Sequence, residues 1–67
     1  MFLVINGEEY PDIPDGLTVS GLLRQLNLPS KKIAIERNRE IVSKSKFETT
    51  ILCDGDQLEI IHFIGGG

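Results

Sequence analysis

The sequence predicts an α+β domain in which a mixed sheet of about five strands packs against one helix. Three observations carry this expectation. Short apolar, β-prone runs at residues 2–5, 33–37 and 58–64 are bounded by turn signals. One stretch, beginning at Val19, repeats its apolar residues at helical spacing. The 67 residues contain one cysteine and one histidine, so neither a disulfide nor a Cys/His metal site can staple the fold. Stability must come from an apolar core, which a 40% apolar composition permits.

The elements follow in order. Phe2-Leu3-Val4-Ile5 is the first strand, ending at Asn6-Gly7. That pair is a strong hairpin signal because both positions accept positive φ. The return strand covers residues 8–13, and Pro11, lacking an N–H donor, assigns it to a sheet edge. Pro14-Asp15-Gly16 is a turn, and Thr18 is a helix N-cap. Val19, Leu22, Leu23 and Leu26 make one apolar stripe, with Ser20, Arg24 and Gln25 off it. Gly21 weakens this helix by about 1 kcal/mol. Pro29 ends it. Residues 33–37 and 40–42 are the third and fourth strands, joined by a tight turn at Asn38-Arg39. Residues 43–50 are polar and irregular, with one helical turn expected around Phe47. Asp54-Gly55-Asp56 turns the chain into the last strand, whose apolar character places it mid-sheet, parallel to the first. Leu58 and Ile60 then face Leu3 and Ile5, with Leu22, Leu23 and Leu26 above them. A hairpin, a right-handed crossover through a helix, a second hairpin and a central last strand make the β-grasp, or ubiquitin-like, arrangement.

Composition narrows the function. Net charge is −3, which argues against nucleic acid and favours a partner with a basic docking face. No run of residues is long enough to span a membrane, and no signal-peptide pattern is present. One free cysteine fits a reducing cytoplasm. No phosphate-cradling glycine loop and no nucleophile–base set occur. Asp54 and Asp56 flank Gly55 and read as a structural turn, too few carboxylates for a metal loop. Cys53 is expected as a small buried apolar residue, and His62 as packed, hydrogen-bonded or partly exposed. A chain of this kind reads as a substrate or carrier and not as an enzyme.

The chain closes on Gly65-Gly66-Gly67 directly after an apolar strand. Without side chains, such a tail can enter a narrow cleft, and it presents the terminal carboxylate of Gly67. Ordering each glycine costs roughly 1–2 kcal/mol of backbone entropy, so the tail is expected to be held only by a partner. The bland reading is a frayed end or a cloning remnant.

A docking face is also expected. If Leu58 and Ile60 point to the core, Ile61 and Phe63 point away from it, and Phe2 and Val4 share their side. Exposed apolar residues there mark a binding patch. In the competing account, loops cover them.

Three stretches resemble the ThiS family, ubiquitin-like sulfur carriers of thiamine biosynthesis. Ile33-Ala34-Ile35-Glu36-Arg37-Asn38-Arg39-Glu40-Ile41-Val42 is similar to that family's A-x-E-x-N-x-E-I-V segment. Asp54-Gly55-Asp56-Gln57-Leu58-Glu59-Ile60 is similar to its D-G-D-x-L-E-I turn and strand, and His62-Phe63-Ile64-Gly65-Gly66-Gly67 to its H-F-x-G-G-G ending. Ser43-Lys44 departs from the family's common Pro-Arg. The resemblance implies one domain over residues 1–67 with a functional tail at 65–67. It implies that a ThiF-like adenylyltransferase, using ATP and magnesium, adenylates Gly67, and that Gly65 and Gly66 deliver it. A persulfide donor then supplies sulfur, and a ThiG-like thiazole synthase receives it from a thiocarboxylate. No cofactor is expected on this chain itself. The D-G-D turn is shared with the small subunit of molybdopterin synthase, so a carrier for another sulfur pathway stays open. So does a ubiquitin-like interaction module whose tail does no chemistry.

Overall fold

The structure, a computed structural model, describes residues 1–63. Five strands form one sheet in the order β2-β1-β5-β3-β4, with β5 in the centre. The strands are β1 (Leu3–Ile5), β2 (Glu8–Tyr10), β3 (Ile33–Arg37), β4 (Glu40–Val42) and β5 (Gln57–His62), and the helix α1 is Val19–Gln25. β1 and β5 run parallel, while every other neighbouring pair is antiparallel. The predicted architecture is therefore the observed one.

Both hairpins turn on two residues of positive φ: 49° and 82° at Asn6 and Gly7, 50° and 70° at Asn38 and Arg39. Such turns match the right-handed twist of the strands they join. β2 stops at Tyr10, three residues short of the expectation. Pro11 cannot extend the ladder. Ile13 instead enters the core, its N–H donating to the Met1 carbonyl at 3.1 Å.

The helix is held at both ends. Thr18 Oγ1 accepts the Gly21 N–H at 3.0 Å, as an N-cap should. The two N–H groups before it, of Val19 and Ser20, donate to the Thr50 and Phe47 carbonyls. The segment after β4 thereby closes over the helix start through a 3-10 turn (Lys44–Lys46), with Phe47 buried beneath it. The helical turn expected around Phe47 is present. The expected terminator is not what ends the helix: α1 stops at Gln25 and is closed before Pro29 by Asn27, whose φ is 58°. Asn27 N–H donates to the Arg24 carbonyl and Leu28 N–H to that of Leu23, the paired bonds of a Schellman cap.

The core lies between α1 and one face of the sheet. Leu3, Val19, Leu22, Leu23, Ile35 and Leu58 are each at most 2% exposed. Ile60 and Leu26 join them half-buried at the margin. Alternation sends the other side chains of β5 to the face that no helix covers.

Candidate functional site

The uncovered face of the sheet is built by strand alternation and register. On β5 it presents Gln57, Glu59 and Ile61. On β3 it presents Ala34, opposite Ile61, and Glu36, opposite Glu59. On β4 it presents Ile41, opposite Glu36. Ile61 is 47% exposed, Phe63 55% and Ile41 78%. Phe63 follows the last residue of β5, and its N–H still donates to the Lys32 carbonyl at 2.8 Å. The strand thus keeps its line up to the point where residues 64–67 begin.

Ile61 and Phe63 come together as expected, beside Ala34. Val4 and Phe2 do not join them. Val4 is half-buried and pairs with Gln57, four residues from Ile61 along β5, or about 13 Å at strand rise. Glu59 lies between. Phe2 is half-buried at the far end, its N–H donating to Asp54 Oδ1 at 2.6 Å and its carbonyl accepting from Gly55. The expected single patch is therefore an apolar cluster at the exit of β5, separated from Val4 and Phe2 by an acidic band of Glu59 and Glu36. Ile41 stands at the β4 end of that band's row, next to Glu36, and was missed in the sequence, although its neighbour Val42 faces the core side and alternation alone turns Ile41 outward. Gly65, Gly66 and Gly67 lie outside the described residues.

The start of β5 is locked by carboxylates. Asp56 is 6% exposed and accepts three hydrogen bonds. They come from Arg37 Nε at 2.8 Å, Asn38 Nδ2 at 3.0 Å and the Cys53 N–H at 2.8 Å. Asn38 Oδ1 in turn accepts the Gln57 N–H. The β3–β4 turn is thus tied to the turn that opens β5. Both carboxylates of the Asp54-Gly55-Asp56 turn bind protein donors, in keeping with a structural turn. Among the described residues no cluster of three histidine, cysteine, aspartate or glutamate side chains could hold a metal. No helix among them is long and apolar enough to cross a membrane.

Burial alone would raise the Asp56 carboxyl, but the hydrogen bonds from Cys53, Asn38 and Arg37, with the Arg37 charge, outweigh it and hold the group below its ordinary 3.8. A folded value below the unfolded one stabilises the protein above the unfolded value. That contribution is lost as pH falls through the folded value. Urea midpoints measured from neutral pH down to strongly acid pH are expected to fall below about pH 4. Asp56→Asn is expected to cost about 1–3 kcal/mol at neutral pH and to flatten the acid limb. Parallel acid limbs in the two proteins would assign the acid loss elsewhere.

Cys53 corrects an expectation. It is exposed, because its neighbour Leu52 takes the inward position. Arg37, sixteen residues away in sequence, brings Nη2 to 3.5 Å from its Sγ. His62 is exposed at the end of β5, opposite Ile33.

A mixed five-stranded sheet with a parallel first and last strand, the last one central, and one helix covering a single face define a β-grasp, or ubiquitin-like, domain. Within that class the match is specific. The model of the ThiS family covers residues 3–67, and the chain belongs to this family. It is 40% identical to the sulfur carrier protein ThiS of Bacillus subtilis over 65 residues, which is 97% of this chain and 98% of that one. The crystal structure of the thiamine biosynthesis protein ThiS from Geobacter metallireducens superposes with a TM-score of 0.83 at 33% identity, with full coverage of both chains. The chain is also 52% identical over its whole length to a thiazole synthase of Paramagnetospirillum magneticum. It spans only 20% of that protein, and the same share of a thiazole synthase from Magnetococcus marinus.

Proposed function

We propose that this chain carries sulfur on the carboxyl group of Gly67, as a thiocarboxylate, for thiazole formation in thiamine biosynthesis. The observation that carries this reading is the family match, which runs through the three glycines to residue 67. The near end-to-end likeness to the Bacillus subtilis sulfur carrier supports it.

The chemistry follows from the carboxylate. Its charge repels nucleophiles, so it must first be activated. A carboxylate oxygen of Gly67 attacks the α-phosphorus of ATP, pyrophosphate leaves, and an acyl-adenylate forms. The terminal sulfur of a persulfide donor then attacks the carbonyl carbon and AMP leaves. A thiol opens the resulting acyl disulfide, departing as a disulfide and leaving the thiocarboxylate. ATP and magnesium belong to a ThiF-like adenylyltransferase. This chain contributes its terminus, a tail of Gly65 and Gly66 slim enough for a narrow channel, and a rigid domain that presents them. The sulfur passes to a ThiG-like thiazole synthase. The likeness of the whole chain to one fifth of two thiazole synthases supports that partner. The cytoplasm is the compartment, in keeping with an unpaired cysteine.

Ile61 and Phe63 form the docking contact, beside the emerging tail. Their exposure makes polar replacement tolerable to the fold, while a buried charge at an interface is costly. Ile61→Asp and Phe63→Asp are expected to keep the wild-type circular dichroism and melting behaviour. Each is expected to raise KM for the adenylyltransferase by about tenfold or more. Unchanged KM in both variants would remove this face from the docking contact.

The decisive experiment is intact-mass analysis after incubation with the adenylyltransferase, ATP and a persulfide donor. A mass gain equal to one oxygen replaced by one sulfur, localised to Gly67, is the expected result. An unchanged mass under conditions that convert the Bacillus subtilis relative would leave only an interaction module.

A further inference from the structure

We propose that Asn6 is a positioning residue for the reactive tail, acting through Ile60; the proposal rests on the sulfur-carrier reading above. The turn at Asn6-Gly7 needs a residue that tolerates positive φ, and glycine would serve it as well. The side chain of Asn6 does something the turn does not need. Its Oδ1 accepts the Ile60 N–H at 2.7 Å, and its Nδ2 donates to the Ile60 carbonyl at 3.2 Å. The residues are 54 positions apart.

The reason lies in the unequal lengths of the two parallel strands. Pairing between β1 and β5 ends at Ile5 opposite Leu58, where the hairpin turns the chain away. The last backbone bond on this side runs from the Asn6 N–H to the Leu58 carbonyl at 2.9 Å. β5 continues for four more residues, to His62, with β3 along its other edge. A carboxamide carries the same donor and acceptor as a peptide group. Asn6 therefore supplies one further rung of a ladder whose strand has already left. β5 is thus clamped at Ile60 on its β1 edge, while β3 holds the opposite edge as far as Phe63, so the strand that leads toward Gly67 is fixed on both edges. A reacting centre displaced by about 1 Å can lose on the order of a hundredfold in rate, so the direction of departure matters to catalysis on the terminus.

The test uses the full chain with Asn6→Gly, which keeps the turn and removes both bonds. Asn6→Asp keeps the acceptor and removes the donor. Adenylation by the ThiF-like enzyme is followed by ATP–pyrophosphate exchange, and the Ile60 amide by hydrogen exchange. Asn6→Gly is expected to speed Ile60 exchange and lower kcat about tenfold, with KM within about twofold, because the interaction acts on alignment and not on docking. Asn6→Asp is expected to fall between Asn6→Gly and wild type in both readouts, and it serves as the folded comparison if the glycine variant unfolds. Faster Ile60 exchange with wild-type kcat in either variant would overturn the proposal, leaving Asn6 a structural clamp. Unchanged exchange in both would overturn it as well. A wild-type chain that is never adenylated would instead overturn the carrier reading itself.

Discussion

A chain ending at Gly66 is expected to fold as the full chain does and to acquire no sulfur. Glycine carries no side chain, so loss of residue 67 deletes no apolar side chain from the chain. The carboxylate, however, retreats by one residue, about 3.5 Å of extended chain. Adenylation requires its oxygen to lie within about 3–3.5 Å of the phosphorus it attacks, so a shift of that size removes the reaction geometry altogether. Gly66→Ala keeps the chain length but adds a methyl group beside the terminus, which any channel that admits the tail must accommodate. It should be adenylated slowly, by about a hundredfold if the terminus moves by 1 Å. Gly65→Ala, nearest the strand, should be the mildest of the three. Intact mass after exposure to the adenylyltransferase, ATP and a persulfide donor reads all of them. Full loading of the chain lacking Gly67 would mean that the terminus is not where the chemistry occurs.

Leu22→Ala is expected to remove about half of the domain's stability. Leu22 is fully buried, in one cluster with Leu3, Leu23, Ile35 and Leu58. Leucine-to-alanine changes at such sites cost about 2–5 kcal/mol, according to how far the surroundings collapse. A domain of this size has only roughly 3–10 kcal/mol in hand. No disulfide shares the load, since the single cysteine is free. Urea titration should show the midpoint falling sharply while the slope stays that of the wild type. A midpoint within experimental error of wild type would mean that α1 does not close the core. Sulfur loading should fall in proportion to the unfolded fraction, which separates this variant from the tail variants that fold and fail.

Much of this architecture was legible because its determinants are local. Asn6-Gly7 and Asn38-Arg39 announce their hairpins, and β3 and β4 have the bounds their apolar residues suggest. The helix end was misplaced because Pro29 is a conspicuous breaker. The cap that forms first depends on Asn27 adopting positive φ, and composition signals this weakly. What the sequence conceals is register. Alternation assigns Val4 and Ile61 to one face, but only the pairing of Val4 with Gln57 shows how far apart they stand. Cys53 and Arg37 meet for the same kind of reason: the turn before β5 folds against the β3–β4 turn, a contact that no window of sequence contains. The tail motif was readable by eye, yet Asn6, whose carboxamide bonds both backbone groups of Ile60, looked like nothing more than a turn former.

The central position of β5 bears on how the protein is made. The first hairpin, β2-β1, and the second, β3-β4, share no pairing; β5 alone joins them, and among the described strands it is the last to be synthesised. Until then each hairpin is an isolated two-stranded ribbon, marginal in water. Val4 must wait for Gln57 before the parallel seam can form, so closure comes late and is set by a long-range contact. A product truncated before β5 therefore holds two hairpins with no strand to join them. One six-residue strand, made after both hairpins, therefore decides whether the sheet exists at all.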